Sequence, residues 1–286
     1  MTAKTPIALT IAGSDSGAGA GIQADLKTFA ALGVYGTSAL TAVTAQNTLG
    51  VRAVHPLPAA IVTAQIDAIF EDFNVAAVKI GMLADREIVD AVVEALLRHR
   101  PRFVILDPVM IASSGDRLIG VEALSAMKTR LLPLVDCLTP NLSEAAALLE
   151  REVARDEVAM TVQARALLGL GPRAALLKGG HLESDEAVDI LITPTLQRRY
   201  VGARIGSRNL HGTGCTLSAA LAARIAKGQT LEEAVAEAKA FVARAIESAR
   251  GLTLGSGPGP LLQGPLAAQL VVETSHSADA LGPSLC

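Results

Sequence analysis

Apolar and polar positions along the chain alternate between two periods. Short runs at 7–12, 76–80, 103–106, 134–138, 174–177, 188–192 and about 198–205, many of them continuously apolar, predict strands. Between them, apolar residues recur at helical spacing over 59–70, 86–98, 122–131, 142–149, 158–168, 216–226 and 231–250. A further helix is expected to run from the glycine cluster at 13–21 to about Leu32. Strands that are apolar on both faces and alternate with helices predict an α/β fold, a mostly parallel sheet covered on both sides with right-handed crossovers.

No internal repeat or linker divides the pattern, so residues 1–254 read as one domain. Residues 255–286 are rich in Gly, Pro and Ser and read as a loosely held tail. His276 and Cys286 lie in it, too few by themselves for a metal site. The segment 28–51 carries no charge and is long enough to span a bilayer. It is interrupted by Gly33, Gly36, Gly50, five threonines, Gln46 and Asn47, and is expected to be a buried part of a soluble fold.

Composition narrows the picture. Half of the 286 residues are hydrophobic but only 2% are aromatic, so the core must be built from Ala, Leu, Val and Ile, as suits helices on a sheet. A net charge of −3 with interspersed signs makes no electrostatic case for nucleic acid or an anionic membrane. Cys137, Cys215 and Cys286 are odd in number and widely spaced, which predicts neither disulfide framework nor zinc site. A reducing, cytoplasmic compartment fits, and the N-terminus has no secretion signal pattern.

Two familiar nucleotide signatures fail. Ile22 stands where the last glycine of G-x-G-x-x-G would fall, and Leu26 replaces the glycine before Lys27 in the nearest approach to a P-loop. The better phosphate site is His211-Gly212-Thr213-Gly214-Cys215-Thr216, directly before an alanine-rich helix. Glycines admit an anion to the backbone, and the helix start presents unpaired N–H groups. The same residues also fit an ordinary turn with Thr213 as N-cap. At such a helix start a thiol should lose its proton more readily, making Cys215 a candidate base, although small buried cysteines are common.

Charged groups close the neighbouring strands. Lys178, before Gly179 and Gly180, could neutralise a phosphoryl group; Asp107, before Pro108, could hold Mg2+ through water or initiate a turn. Asn141 and Glu144 could orient metal-bound water or merely cap a helix. Together these elements predict an Mg-ATP-dependent small-molecule kinase.

The segments also match a known family. Leu9-Thr-Ile-Ala-Gly-Ser-Asp-Ser-Gly17, Gly21-Ile-Gln-Ala-Asp-Leu-Lys-Thr-Phe29, Ala45-Gln-Asn-Thr48, Lys79-Ile-Gly-Met-Leu83, Thr139-Pro-Asn-Leu-Ser-Glu-Ala145, Lys178-Gly-Gly-His181 and His211-Gly-Thr-Gly-Cys-Thr216 occur in order. In these the chain, from Leu9 to about Gly259, resembles the hydroxymethylpyrimidine/phosphomethylpyrimidine kinases of thiamine biosynthesis, members of the ribokinase-like group. The resemblance implies a three-layer α/β/α domain, a homodimer, ATP with Mg2+, and two successive phosphoryl transfers. They go first onto the pyrimidine hydroxymethyl group and then onto the monophosphate. It implies a pyrimidine pocket of Ala20, Asp25, Gln46, Met82, Val109 and Cys215. It places Lys178, Asp107, Asn141 and Glu144 near phosphates and metal, and Gly212, Thr213 and Gly214 in an anion hole. Ala18 departs from a glycine common in relatives, and Leu210 from a polar residue. The rival readings are a pyridoxal or pyridoxine kinase on the same fold, which shares much of this pattern, and a non-catalytic nucleotide-binding regulator, which would consume no ATP.

Overall fold

A computed structural model of the chain describes residues 5–110, 119–180, 182 and 184–264. His181, His276 and Cys286 lie outside the described residues.

Among the described residues nine strands form one sheet in the order β3-β2-β1-β4-β5-β6-β7-β8-β9. Strands β1 (Ile7–Ser14), β2 (Tyr35–Asn47), β4 (Ala77–Ile80), β5 (Val104–Leu106), β6 (Cys137–Leu138) and β7 (Ala175–Lys178) run parallel. The edges are antiparallel: β3 (Gly50–Pro56) on β2, and β8 (Glu186–Ile192) with β9 (Gln197–Ala203) beyond β7. Helices α2 (Ala59–Asp72), α3 (Arg86–His99), α4 (Val121–Ala126), α5 (Leu142–Leu149) and α6 (Glu157–Leu168) bury one face, around Leu9, Ile11, Val78, Ile80 and Leu106. Helices α1 (Gly21–Ala31), α7 (Thr213–Ala226) and α8 (Leu231–Ala249) cover the other, where Ala219–Ala223 lie flat on Ala77 and Ile105. Small alanines let α7 lie close to the sheet, which suits a protein short of aromatic residues.

Helix ends follow local chemistry. Asp85 accepts from Ile88 N–H to start α3, and Thr230 with Glu233 forms a capping box for α8.

Three elements depart from the sequence pattern. The charge-free segment 28–51 holds the end of α1, all of β2 and the start of β3. Past Ser14 the β2 strand outruns β1 and pairs only with β3, so the sheet ends there in a two-stranded ribbon exposed along β3. Glycines and threonines within β2 masked its period. The run at 134–138 contributes only Cys137 and Leu138 to the sheet, because Pro133 holds a 3₁₀ turn over Leu132–Leu134. Helix α7 begins at Thr213, not 216. Gly212 takes φ +85° as its N-cap, so Gly214 lies inside the first turn despite its low helix propensity.

Ten residues of the stretch set apart as tail, 255–264, are described and touch the domain. Leu261 and Gln263 are buried, Gln263 donates to Thr216 Oγ1, and Gly257 N–H donates to Thr48 Oγ1. Among the described residues no helix is long and apolar enough to cross a membrane.

Candidate active site

The carboxyl ends of β1, β4, β5, β6 and β7 open on one edge of the sheet, and α7 points its N-terminus at that edge. A parallel sheet delivers every strand-end residue to the same side, where loops rather than helices cover it. Asp107 follows β5, Asn141 follows β6, and Lys178 closes β7.

Lys178 Nζ lies 2.7 Å from Asp107 Oδ1, and the pair is only partly sealed, with side-chain exposures of 14% and 3%. Ser218 Oγ, one turn into α7, lies 3.4 Å from the other Asp107 oxygen. A side chain at Gly214 would come within 3.2 Å of Lys178 Nζ and 3.4 Å of Asp107 Oδ2. The glycine turn, the lysine and the aspartate therefore face one another. Burial works against the Lys178 charge, but Asp107, Glu144 and Cys215 outweigh it and hold the ammonium above its ordinary pKa.

Asn141 and Glu144 form a reciprocal capping box on α5: Asn141 N–H donates to Glu144 Oε2 at 2.7 Å, and Glu144 N–H to Asn141 Oδ1 at 2.8 Å. The capping alternative is thus realised. It does not exhaust Glu144, whose carboxyl is pushed up to about 7, by burial first and by the Asp107 charge second, against the pull of Lys178.

Cys215 corrects an expectation. It is the third residue of α7 and its sulfur accepts from Gly21 N–H, yet the thiol is not acidified. Burial pushes it up to about 11, reinforced by Asp25 and Asp107, and the Lys79 charge with the Gly21 N–H only partly offset this. Desolvation of a thiolate beside two carboxylates exceeds what a helix start supplies. Thr213 is not the N-cap either: it is the first helical residue, its hydroxyl donating to Leu210 C=O, and Gly212 occupies the cap.

Of the residues implied for the acceptor pocket, Asp25 is the most constrained. It is fully buried on α1, accepts from Thr10 Oγ1 at 2.6 Å and pairs with Lys79 at 2.8 Å, while its Oδ1 is buried with no hydrogen-bond partner. Burial raises its pKa, with Lys79 and Thr10 pulling the other way. Lys79, in the middle of β4, stays charged because Asp25, Cys215 and Asp107 together outweigh its own burial. Met82 lies just past β4, its carbonyl accepting from Thr41 Oγ1, and its methyl would be 2.8 Å from a side chain at Gly13. Val109 donates its N–H to Asp107 C=O, and Ala20 N–H donates to Asp15 Oδ2. Gln46, on the β2–β3 ribbon, reaches His211, with 3.4 Å between the two Nε2 atoms.

Reading residues singly left three groups unassigned: Lys79, Asp15 and His211. Lys79 had a signal, since a lysine between Val78 and Ile80 in an apolar strand must be paired when buried. Asp15 had none, because its partners are backbone groups of a loop and a histidine 196 positions away.

Among the described residues no group of three or more His, Cys, Asp or Glu is disposed to hold a metal ion directly. The donors present suit a water-mediated Mg2+: Asp107 turns Oδ2 toward Gly214 at the start of α7, and Glu144 carries a desolvated carboxyl that a nearby cation would ionise. A hollow of about 890 Å³ bounded by Ala18, Lys27, Leu49 and Leu262 lies to one side and includes none of Asp107, Lys178 or Cys215.

Known proteins similar to this chain show its family. A family model described as phosphomethylpyrimidine kinase matches residues 15–262. The chain is 54% identical over 257 residues to the hydroxymethylpyrimidine/phosphomethylpyrimidine kinase of Rhizobium meliloti (strain 1021), across 90% of this chain and 96% of the relative. The crystal structure of phosphomethylpyrimidine kinase from Clostridium difficile 630 matches with a TM-score of 0.75 at 44% identity, covering 85% of this chain and all of that one. The pyridoxal kinase of Staphylococcus aureus, solved with AMP-PCP and pyridoxal, matches with a TM-score of 0.84 at 33% identity, covering 92% and 94%. The ribokinase-like α/β architecture expected from the motifs is the one these neighbours have. With a family model spanning residues 15–262 and more than half of the aligned positions identical to a curated relative, the chain belongs to the phosphomethylpyrimidine kinase family.

Proposed function

We propose that the protein phosphorylates 4-amino-5-hydroxymethyl-2-methylpyrimidine to its monophosphate and then to its diphosphate, in thiamine biosynthesis, with ATP and Mg2+. The observation that carries the reading is the Lys178–Asp107 pair facing Gly214 at the start of α7. It supports the reading because a transferring phosphoryl group needs both a cation and fixed backbone donors. Gly212, Thr213 and Gly214 form the anion hole; Lys178 leaves Asp107 to follow the phosphoryl charge.

Asp107 and Glu144, the latter fixed by Asn141, would hold Mg2+ through water. When bound, the metal neutralises charge on the ATP phosphates. Ala20, Asp25, Gln46, Met82, Val109 and Cys215 receive the pyrimidine, the bare Asp25 Oδ1 accepting from its amino group. Cys215 takes the hydroxyl proton in the first transfer as thiolate, a form its raised pKa keeps scarce at neutral pH. The second acceptor is already an anion and needs no base. The family resemblance also supports a homodimer, and the free thiols of Cys137 and Cys215 fit a reducing cytoplasm.

A second reading, phosphorylation of pyridoxal, is favoured by the TM-score of 0.84 to a pyridoxal kinase. Each acceptor is therefore offered separately with Mg-ATP and the products identified. Conversion of hydroxymethylpyrimidine through monophosphate to diphosphate is expected; turnover of pyridoxal alone overturns the assignment.

A further inference from the structure

The phosphoryl chemistry above uses neither Asp15 nor His211, yet three loops close around them. Asp15 accepts from Gly17 N–H at 2.8 Å, Gly19 N–H at 3.0 Å and Ala20 N–H at 2.8 Å. Its Oδ2 also lies 3.0 Å from His211 Nε2. Although burial favours the neutral acid, His211 and these N–H groups hold the carboxyl below its ordinary value. The two loops interlock: a side chain at Gly19 would strike the His211 ring, and one at Gly212 would strike the Gly19 carbonyl. His211 N–H donates to Gly259 C=O, tying in the third loop.

Gln46 joins this assembly at both ends. Ser16 Oγ lies 2.6 Å from Gln46 C=O and accepts from Gln46 N–H at 2.8 Å, so its backbone is pinned to the loop that Asp15 organises. Its side chain spans His211 Nε2 at 3.4 Å and Thr44 Oγ1 at 3.3 Å. Donor arithmetic then selects the sense of the amide. Ionised Asp15 can only accept, so His211 Nε2 carries its proton and cannot accept from an amide N–H. Thr44 has one hydroxyl proton, and Ser14 C=O at 2.8 Å takes it. The donor–donor and acceptor–acceptor conflicts are removed when the Gln46 oxygen faces His211, as a second acceptor of the Nε2–H that Asp15 already takes, and its NH2 faces Thr44, since the two ends of an amide are interchangeable in outline.

We propose that Asp15 and His211 are positioning residues that lock the orientation of the Gln46 amide, and so set which acceptor ring it complements. The lock uses one N–H and one lone pair of the amide. One N–H and one lone pair remain, in a fixed order, for a ring nitrogen beside an amino group. A reversed amide presents them in the opposite order and meets donor with donor. The proposal rests on Gln46 reading the acceptor ring, as assigned above.

A double-mutant cycle tests it. Gln46→Ala, His211→Phe and the double variant are assayed with Mg-ATP and hydroxymethylpyrimidine, each after a thermal melt to establish folding. The phenyl ring keeps the contact over Gly19 and removes the polar links. Each single variant is expected to lose about tenfold in kcat/KM, chiefly through acceptor KM, and the double variant to fall no further than Gln46→Ala. Asp15→Asn, which frees His211 Nε2 to accept, is expected to give the same non-additive loss and a lower preference for hydroxymethylpyrimidine over pyridoxal. Losses that multiply, or a fall in kcat with acceptor KM unchanged, overturn the lock while leaving Gln46 as the ring reader. An acceptor KM untouched by Gln46→Ala overturns the ring reading, and the lock with it.

Discussion

Two lysine–aspartate pairs flank the start of α7, and they differ in one respect. Lys79–Asp25 is 2.8 Å long and wholly sealed; Lys178–Asp107 is 2.7 Å long with the lysine 14% exposed. The sealed pair cannot exchange partners without burying a bare charge. The open pair can, because water and an arriving phosphate compensate Lys178 as it leaves. In the proposed reaction equal geometry would serve opposite uses, a fixed wall on the acceptor side and a movable cation on the donor side. Exposure, rather than distance, separates them.

The comparison breaks most visibly at the sealed pair. Lys79→Met strands Asp25 and is expected to cost about 3–5 kcal/mol of unfolding free energy in urea titration. Lys79→Met with Asp25→Asn should recover part of this, since an amide still pairs with Thr10; no recovery would mean that lost packing, not the stranded charge, dominates.

Lys178→Met should reverse the pattern. Both transfers are expected to slow about 10²–10³-fold in single-turnover assays, with less than half the stability loss of Lys79→Met, because Asp107 retains Ser218 nearby and an opening to water. Unchanged rates for either transfer would remove Lys178 from the chemistry.

The role proposed for Cys215 is read by pH. With the thiol at about 11, its base form rises about tenfold per pH unit from 7 to 9. The first transfer should rise with it and the second should not. Cys215→Ala should slow the first by about 10²-fold and the second far less. A first transfer that is flat with pH leaves Cys215 a positional role only. The same sign governs stability. A thiol whose folded pKa is raised stabilises fully below its unfolded value near 9, and that contribution is lost as pH climbs toward the folded value.

The smallest effect concerns the loop that joins the two sides. Ala18 takes φ +58°, a left-handed conformation that suits glycine better than a residue with a side chain. Ala18→Gly should stabilise by about 0.5–1 kcal/mol in urea titration, net of the added chain entropy.

Much of the fold was legible in the chain. Helices α2, α3, α5, α6 and α8 match their apolar periodicity within a residue or two, since each buries one stripe and is stopped by local caps. Strand β2 was not legible, because its glycines and threonines mask its period and its last residues, Thr44–Asn47, outrun β1 and pair only with the exposed β3. In the site, Lys178, Asp107 and the glycine turn could be named because parallel topology sends every strand end to one edge. Asp15 with His211 could not, because their contact closes across 196 residues.

The glycine turn before α7 and the capping pair at Asn141 and Glu144 were determined by sequence alone, since each depends on neighbours a few positions away. What only the tertiary structure decided is the state of the charges. Cys215 stands at a helix start, which by itself favours its thiolate. Burial against Asp25 and Asp107 reverses that preference, because the cost of removing a charge from water depends on everything packed around it.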